Sequence, residues 1–185
     1  MTGGPETFET LSPRAREVLV AARELLEEEG YQGLTMRRLG ERLGIRGQSL
    51  YEHFADKRAI ERALTVEILL DCGTRMDTVA AGAADPLMAM CDEHRAWARR
   101  HPHAYRLAWG GTLDMHDRQT EAAALRSGEA LIAYTKGDRR YSRAIFAFIH
   151  GLILLELDER LLQPDSDLDE IWRFGIEAIR SAAEG

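Results

Sequence analysis

Apolar residues recur at intervals of three and four along most of this 185-residue chain. That spacing places them on one face of an α-helix, whereas a β-strand needs apolar residues at every second position, and no sustained Val, Ile and Thr alternation occurs. Glycine- and proline-containing breaks separate the helical segments. The sequence therefore predicts an all-α fold of about nine helices.

Composition limits the classes of partner that a chain like this can have. It carries 24 Lys and Arg against 31 Asp and Glu, a net charge of -7, so any surface that binds nucleic acid must be local. Two cysteines are too few for a disulfide framework and fit a reducing compartment. Because residues 1–10 do not resemble a signal peptide and the apolar run 144–157 is shorter than a membrane span, we expect a cytoplasmic protein with no membrane partner.

The first sixty residues contain several helix start and stop signals. Ser12 and Pro13 predict the beginning of a first helix, and Gly30 predicts its left-handed C-terminal residue. Thr35 is the predicted N-cap of a short second helix that ends at Gly44. A third helix is predicted over residues 47–54, followed by a fourth that Asp56 caps.

Residues 35–51 have the order helix, glycine turn, helix, which is typical of a helix-turn-helix DNA-binding unit. Residues 30–58 hold six basic and three acidic residues, while the segments on both sides are net acidic. A local basic surface is what contact with phosphates requires. The sequence therefore predicts an N-terminal three-helix helix-turn-helix domain at residues 1–56 and a helical domain at 57–185.

This segment resembles the tetracycline-repressor (TetR-like) family of bacterial transcriptional regulators over about 45 residues. The resemblance rests on Gly33, Thr35, Leu39-Gly40, Gly44-Ile45, Leu50-Tyr51, His53-Phe54 and Lys57. It departs from the family pattern at Gly40, where Ala is usual, and at Arg46, where Ser or Thr normally caps the recognition helix. The resemblance implies a ligand-responsive regulator, in most members a repressor, that binds a palindromic double-stranded DNA operator as a homodimer and is released by a small-molecule effector.

The family pattern also implies which side chains touch DNA. Gln48 and Ser49 would face base edges, and Thr35, Tyr51, His53 and Lys57 would contact the phosphate backbone. Arg46 places a guanidinium at the groove-facing start of the recognition helix, where it suits either a guanine edge or a phosphate. The simpler alternative is that these side chains are only solvated or packed against their own helices. The predicted DNA-contact residues are Thr35, Arg46, Gly47, Gln48, Ser49, Tyr51, His53 and Lys57.

Two long apolar helices, predicted near residues 139–162 and 166–183, end the chain. The run 144–157 is apolar nearly all round, so it must be covered on more than one side. A homodimer interface meets that requirement, and the core of a monomer is the alternative. The predicted interface residues are Ile149, Gly151, Leu152, Leu155, Ile171, Trp172, Ile176 and Ile179.

Effector binding in the C-terminal domain would use a mostly apolar pocket with a few polar groups. The candidate lining residues are Met90, Trp97, Tyr105, Trp109, Met115, Phe148 and His150. Each of them could equally be plain core, and His150 could be a core or interface histidine.

Catalysis, metal binding and thiol redox chemistry have little support. No nucleophile elbow, phosphate-binding loop or paired-carboxylate spacing appears, and we expect the acidic residues to lie at helix caps or on solvent-facing surfaces. The histidines at 94, 101, 103 and 116 include no pair four residues apart on one helix. We therefore predict no catalytic residue, no metal and no cofactor.

The remaining alternative to a DNA-binding regulator is a helical ligand-binding or protein-interaction module whose helix-turn-helix no longer reads DNA.

Overall fold

The computed structural model describes residues 11–110, 116–160 and 167–184, which form nine helices and no strand. The helices are α1 (Pro13–Gly33), α2 (Met36–Leu43), α3 (Gly47–Tyr51), α4 (Lys57–Gly82), α5 (Pro86–Arg100), α6 (Pro102–Trp109), α7 (Arg118–Tyr134), α8 (Arg139–Leu157) and α9 (Leu168–Glu184). The all-α prediction is confirmed. Within the described ranges, no helix is both long enough and apolar enough to cross a membrane.

Three predicted N-caps are confirmed by hydrogen bonds. The Ser12 hydroxyl accepts from the Ala15 amide at 3.2 Å, and the Thr35 hydroxyl accepts from the Arg38 amide at 3.2 Å. Asp56 accepts from the Ala59 amide at 2.8 Å. Each bond satisfies one of the amide groups that the first turn of a helix leaves without a partner.

Two helix ends differ from the predicted boundaries. Gly30 has the predicted positive φ, 71°, but helical structure resumes beyond it as far as Gly33, because the Leu34 amide donates to the Gly30 carbonyl at 3.3 Å. Helix α3 ends at Tyr51 and not at residue 54, because the amides of His53 and Phe54 both turn back to the Leu50 carbonyl.

The chain packs as two compact units, to both of which α4 and α7 contribute. The first unit contains residues 1–72 and 101–127, and the second contains residues 73–100 and 128–185. These units describe packing, and the functional division at residue 56 remains a prediction.

In the first unit, α1 supplies the N-terminal cap that α6 lacks. The His101 side chain makes no capping bond, but the Glu27 carboxylate accepts from the amides of His103 and Ala104, the latter at 2.9 Å. Gly30 packs against His103: a Cβ added at Gly30 would lie 3.3 Å from its imidazole. Helix α1 is therefore tied to the start of α6, which follows it by some seventy residues.

In the second unit, ion pairs join α5 to α8 and α9. Arg95, which is buried, makes a bidentate contact with Glu156 at 2.8 and 3.0 Å and a third bond to Asp169 at 2.7 Å. Near the other end of α5, Arg180 donates two hydrogen bonds to Asp85. Because breaking a buried ion pair leaves an uncompensated charge, these contacts hold α9 firmly along α5.

The expectation that acidic residues lie at caps or on solvent-facing surfaces is wrong at four positions. The side chains of Glu61, Glu67, Glu93 and Glu156 are only 16%, 25%, 21% and 15% exposed, respectively. Each lies within 4 Å of an Arg or Lys side chain, so burial of the carboxylate is offset by a cation.

Candidate nucleic-acid interface

The turn between α2 and α3 has the geometry that a helix-turn-helix needs. Gly44 adopts the left-handed conformation, with φ 64° and ψ 28°. Its amide bonds back to Glu41, and the Ile45 amide bonds back to the Gly40 carbonyl at 3.0 Å. This is the Schellman pattern, which ends α2 abruptly and allows the chain to turn into α3.

Burial fixes which side of α3 faces outward. Leu50 is fully buried and Phe54 nearly so, so this side of the segment packs into the first unit. Tyr51 is 55% exposed, Arg46 and His53 are exposed, and Ser49 is half-buried. Gly47 and Gln48 lie in the first turn of α3, but the Gln48 side chain is outside the described part of the chain.

A groove runs between α2 and α3. Arg46 and Tyr51 line it together with Met36 and Arg37 of α2. Thr35 directly precedes this α2 segment, and its hydroxyl oxygen accepts the capping bond from Arg38. Since a hydroxyl can accept and donate at the same time, Thr35 keeps a proton to donate to a phosphate.

Arg46 stands at the N-cap of α3 without making a capping hydrogen bond from its side chain. The first turn of α3 therefore lacks the side-chain cap that Ser or Thr would give, as the sequence predicted. Arg58, which follows Lys57 in α4, is also exposed. Neither arginine has an ion-pair partner among the described residues. Arg58 was missed as a candidate contact, although its position in the first turn of α4 and its charge could have identified it.

The other cations of residues 30–58 are paired with carboxylates. Arg38 bonds to Glu29, and Arg42 bonds to Glu28 and approaches Glu24 at 3.5 Å. The hydrogen bond from Glu28 raises the pKa of Arg42. Helix α1 thus neutralises part of the basic charge of α2, which the local charge count could not reveal.

Two predicted phosphate contacts lie outside the α2–α3 groove. Lys57 contacts Tyr31 of α1, donating to its carbonyl oxygen at 3.0 Å. His53 lines a separate depression of about 220 Å³, whose walls include Leu19, Arg62 and Gln119.

Four predicted interface residues are already buried within a single copy of the chain. Ile149, Leu152, Trp172 and Ile176 are at most 9% exposed. They form the protomer core because α8 and α9 pack closely: the Phe148 ring occupies the space where a Cβ of Gly175 would be, 2.0 Å from its Cζ. Leu155 and Ile179 are half-buried.

The outward-facing residues of α8 and α9 differ from that predicted set. Ile171 is 37% exposed, and Phe146 and Phe174 are exposed at 38% and 74%. A Cβ on Gly151 would meet nothing within 4 Å. These positions, of which the sequence singled out only Ile171 and Gly151, are the surface that a second protein could cover.

The effector candidates belong to different local environments. Tyr105 is fully buried, and its ring lies 5.0 Å from that of Trp109 at an angle of 30° in the first unit. In the second unit Met90 and Trp97 are buried, Phe148 lies 6.4 Å from Trp172, and His150 stacks on Phe146. Phe148 therefore contributes to the α8–α9 packing, and His150 lies beside an exposed ring. Met115 is outside the described residues.

The two cysteines and the histidines give no redox or metal site in the described ranges. Cys72 and Cys91 are buried, and burial together with the charge of Asp92 raises the pKa of Cys91 to about 12. A thiol of that kind stays protonated and unreactive at neutral pH. No group of three or more His, Cys, Asp or Glu side chains in those ranges is placed to hold a metal ion.

Comparison with known proteins identifies the family. A family model described as "Bacterial regulatory proteins, tetR family" matches residues 18–64, and one described as "Tetracyclin repressor-like, C-terminal domain" matches residues 87–179. An uncharacterized HTH-type transcriptional regulator of Mycobacterium tuberculosis is 30% identical over 163 residues, which cover 83% of this chain and 75% of that protein.

Two further comparisons cover the DNA-binding segment and the fold. Tetracycline repressor protein class D of Escherichia coli is 54% identical over 52 residues, 28% of this chain and 24% of the repressor. A solved structure of a Rhodococcus sp. RHA1 protein of unknown function superposes with a TM-score of 0.78 at 20% identity, covering 91% of this chain and 94% of that one. With family models matching both halves and a helix-turn-helix of the required geometry, the chain belongs to the tetracycline-repressor (TetR) family and is a DNA-binding transcriptional regulator.

Proposed function

We propose that the protein is a repressor that binds a two-fold-symmetric operator as a homodimer and leaves it when a small molecule binds the C-terminal region. Each copy would place α3 in the major groove of one half-site, because a symmetric dimer requires a symmetric DNA site. The proposed contacts remain Thr35, Arg46, Gly47, Gln48, Ser49, Tyr51, His53 and Lys57, and Arg58 joins them.

The α2–α3 groove is the observation that carries the DNA-binding part of this proposal. Arg46 is exposed on its edge and has no carboxylate partner in the described part of the chain, so its guanidinium is available for a guanine edge or a phosphate. Arg58, in the first turn of α4, likewise has no ion-pair partner within the described ranges and offers a second cation. These two arginines would contribute more to DNA affinity than Arg38 or Arg42, which first have to leave a glutamate.

The exposed surface of α8 and α9 supports a dimer. Burying one aromatic side chain as exposed as Phe174 stabilises an interface by roughly 1.5–3 kcal/mol. Phe146 and Ile171 extend the apolar surface, and the open space at Gly151 would let a second helix approach closely. We therefore centre the proposed interface on these four residues, with Leu155 and Ile179 beside them.

Release by an effector would be a shift between two dimer states that differ in the spacing of their recognition helices. Half-sites one DNA turn apart require recognition helices about 34 Å apart, or a multiple of that distance. A ligand that binds more tightly to a dimer state with another spacing therefore lowers operator affinity. Met90 and Trp97 of the second unit and Tyr105 and Trp109 of the first stay separate candidates for effector contact, because apolar and aromatic side chains make up most of the lining of small-molecule sites. Met115, Phe148 and His150 stay candidates as well.

Operator binding is tested by fluorescence anisotropy with duplex DNA from upstream of the protein's own gene, beside a scrambled duplex, at two salt concentrations. We expect salt-dependent binding that favours the native sequence at least about 1,000-fold. Equal, weak binding to both duplexes would contradict operator recognition at that site. The same result on every bacterial promoter fragment tested would favour a module that has lost DNA reading.

Dimerisation is tested by sedimentation with two matched substitutions, Phe174→Asp on α9 and Leu125→Asp on α7. Leu125 is also an exposed apolar residue, at 58%, but lies outside α8 and α9. We expect Phe174→Asp to give monomers with weakened operator binding and Leu125→Asp to leave the dimer intact. A Phe174→Asp variant that remains a dimer would show that the interface lies elsewhere.

A further inference from the structure

The ammonium group of Lys57 is held on three sides in the first unit. Its Nζ donates to the Tyr31 carbonyl at 3.0 Å and lies 4.0 Å from the centroid of the Tyr31 ring. Glu61, one turn later in α4, places Oε1 3.4 Å from the same nitrogen. The Lys57 side chain is 31% exposed and the Glu61 side chain 16%, so the pair is partly shielded from solvent.

The Glu61 carboxylate depends on the Lys57 ammonium group for compensation of its charge. Its Oε1 is buried and makes no hydrogen bond, so the Lys57 charge is the interaction that compensates its burial. Tyr31 makes a side-chain hydrogen bond to Glu61, and this bond together with burial and the Glu61 charge raises the pKa of Tyr31. The carboxylate is therefore fixed in place between the Tyr31 hydroxyl and Lys57.

We propose that Glu61 is an internal counter-ion that competes with DNA phosphate for Lys57 and so limits sequence-independent DNA binding. The proposal rests on the proposed contact between Lys57 and the phosphate backbone. If Lys57 turns to a phosphate, Glu61 Oε1 loses its compensating charge, which offsets part of the energy gained on DNA. Lys57 then adds little net affinity, and this matters most on random DNA, where phosphate contacts supply essentially all of the binding energy.

The same competition changes the salt dependence of binding. A lysine that neutralises one phosphate releases condensed cations and steepens the slope of log K against log salt by about 0.9. A carboxylate that loses its partner takes up a replacement cation from solution, which cancels part of that release. Lys57 should therefore contribute much less than 0.9 to the slope while Glu61 is present.

The test compares Glu61→Gln with Glu17→Gln in the full-length protein, measuring affinity for operator and random duplex across a salt series. Both changes remove one negative charge, but Glu17 pairs with Arg14 within α1. We expect Glu61→Gln to tighten binding to random duplex about three- to tenfold and to steepen the slope by up to about 0.9. Glu17→Gln should leave the slope unchanged.

A double variant separates a direct role from a general effect of net charge. In a Lys57→Ala background, Glu61→Gln should have no further effect, because the cation that it would release is absent. The same gain in affinity with or without Lys57, or equal effects of Glu61→Gln and Glu17→Gln, would overturn the proposal. If Lys57→Ala and Glu61→Gln both bind like the wild type, Lys57 makes no phosphate contact and the proposal is overturned. If the wild type binds no duplex at all, the proposed function itself is refuted.

Discussion

His94 on α5 is buried, and its ring lies edge-on to Phe146 with the centroids 6.3 Å apart. Burial lowers the pKa of His94 to about 3, and the charges of Arg75 and His150 lower it in the same direction. The folded protein therefore keeps this imidazole neutral over most of the acidic range. The change His94→Gln removes the titrating group while keeping a neutral polar side chain.

The sign of the effect follows from linkage. Because the pKa is lower in the folded state, the unfolded chain binds the proton first as pH falls below about 6.5, and folding stability is lost. With a folded pKa of about 3, the loss from this one group reaches about 3 kcal/mol at pH 4.5. It approaches its limit of about 5 kcal/mol only below pH 3.

The assay is urea unfolding followed by circular dichroism at pH 7.5 and pH 4.5, at a fixed protein concentration because a dimer's stability depends on it. Carboxylates titrate in every variant, so the loss of unfolding free energy between the two pH values has to be compared between wild type and His94→Gln. We expect wild type to lose about 3 kcal/mol more than His94→Gln between the two pH values. His53→Gln, a change at an exposed histidine, should behave as wild type. An equal loss in wild type and His94→Gln would refute the argument.

Three other predictions concern packing, DNA contact and helix capping. Gly175→Ala should lower the free energy of unfolding by about 1–2 kcal/mol, because the new Cβ displaces Phe148, whereas Gly128→Ala in α7, where a Cβ would meet only Ile132 at 3.9 Å, should not lower it; similar urea midpoints for the two variants would contradict the close α8–α9 contact. Arg46→Ala should weaken DNA binding and reduce the salt slope by about 0.9, and an unchanged slope in the anisotropy assay would exclude a phosphate contact for this residue. Glu27→Gln should lower the melting temperature through loss of roughly 1 kcal/mol of capping at α6, and a melting curve identical to wild type would show that the charged cap contributes nothing.

Local sequence determined the secondary structure and the DNA-binding unit. The local signals are the periodic apolar residues, the N-caps Ser12, Thr35 and Asp56, and Gly44 at the turn. Each of them acts on residues only a few positions away in the chain. Such signals need no tertiary context, so the all-α fold and the helix-turn-helix could be predicted. Helix ends were less predictable: helical structure resumes beyond Gly30 as far as Gly33, and α3 ends at Tyr51, where two amides share the Leu50 carbonyl.

The charge of the candidate interface was decided by the tertiary structure. The sequence counts six basic residues in positions 30–58, but Arg38 and Arg42 pair with glutamates of α1, and Lys57 lies against Tyr31 and Glu61. Pairing of this kind depends on which helices pack side by side, which local composition does not encode.

The division of α8 and α9 into core and surface also required the three-dimensional arrangement. An apolar residue at helical spacing can face its own protomer or a partner, and periodicity is identical in the two cases. Packing assigns Ile149, Trp172 and Ile176 to the protomer core and leaves Phe174 exposed. The sequence by itself thus determined the helices and the family of this protein, while the tertiary structure decided which charges and apolar side chains remain available, because availability is set by contacts between residues far apart in the chain.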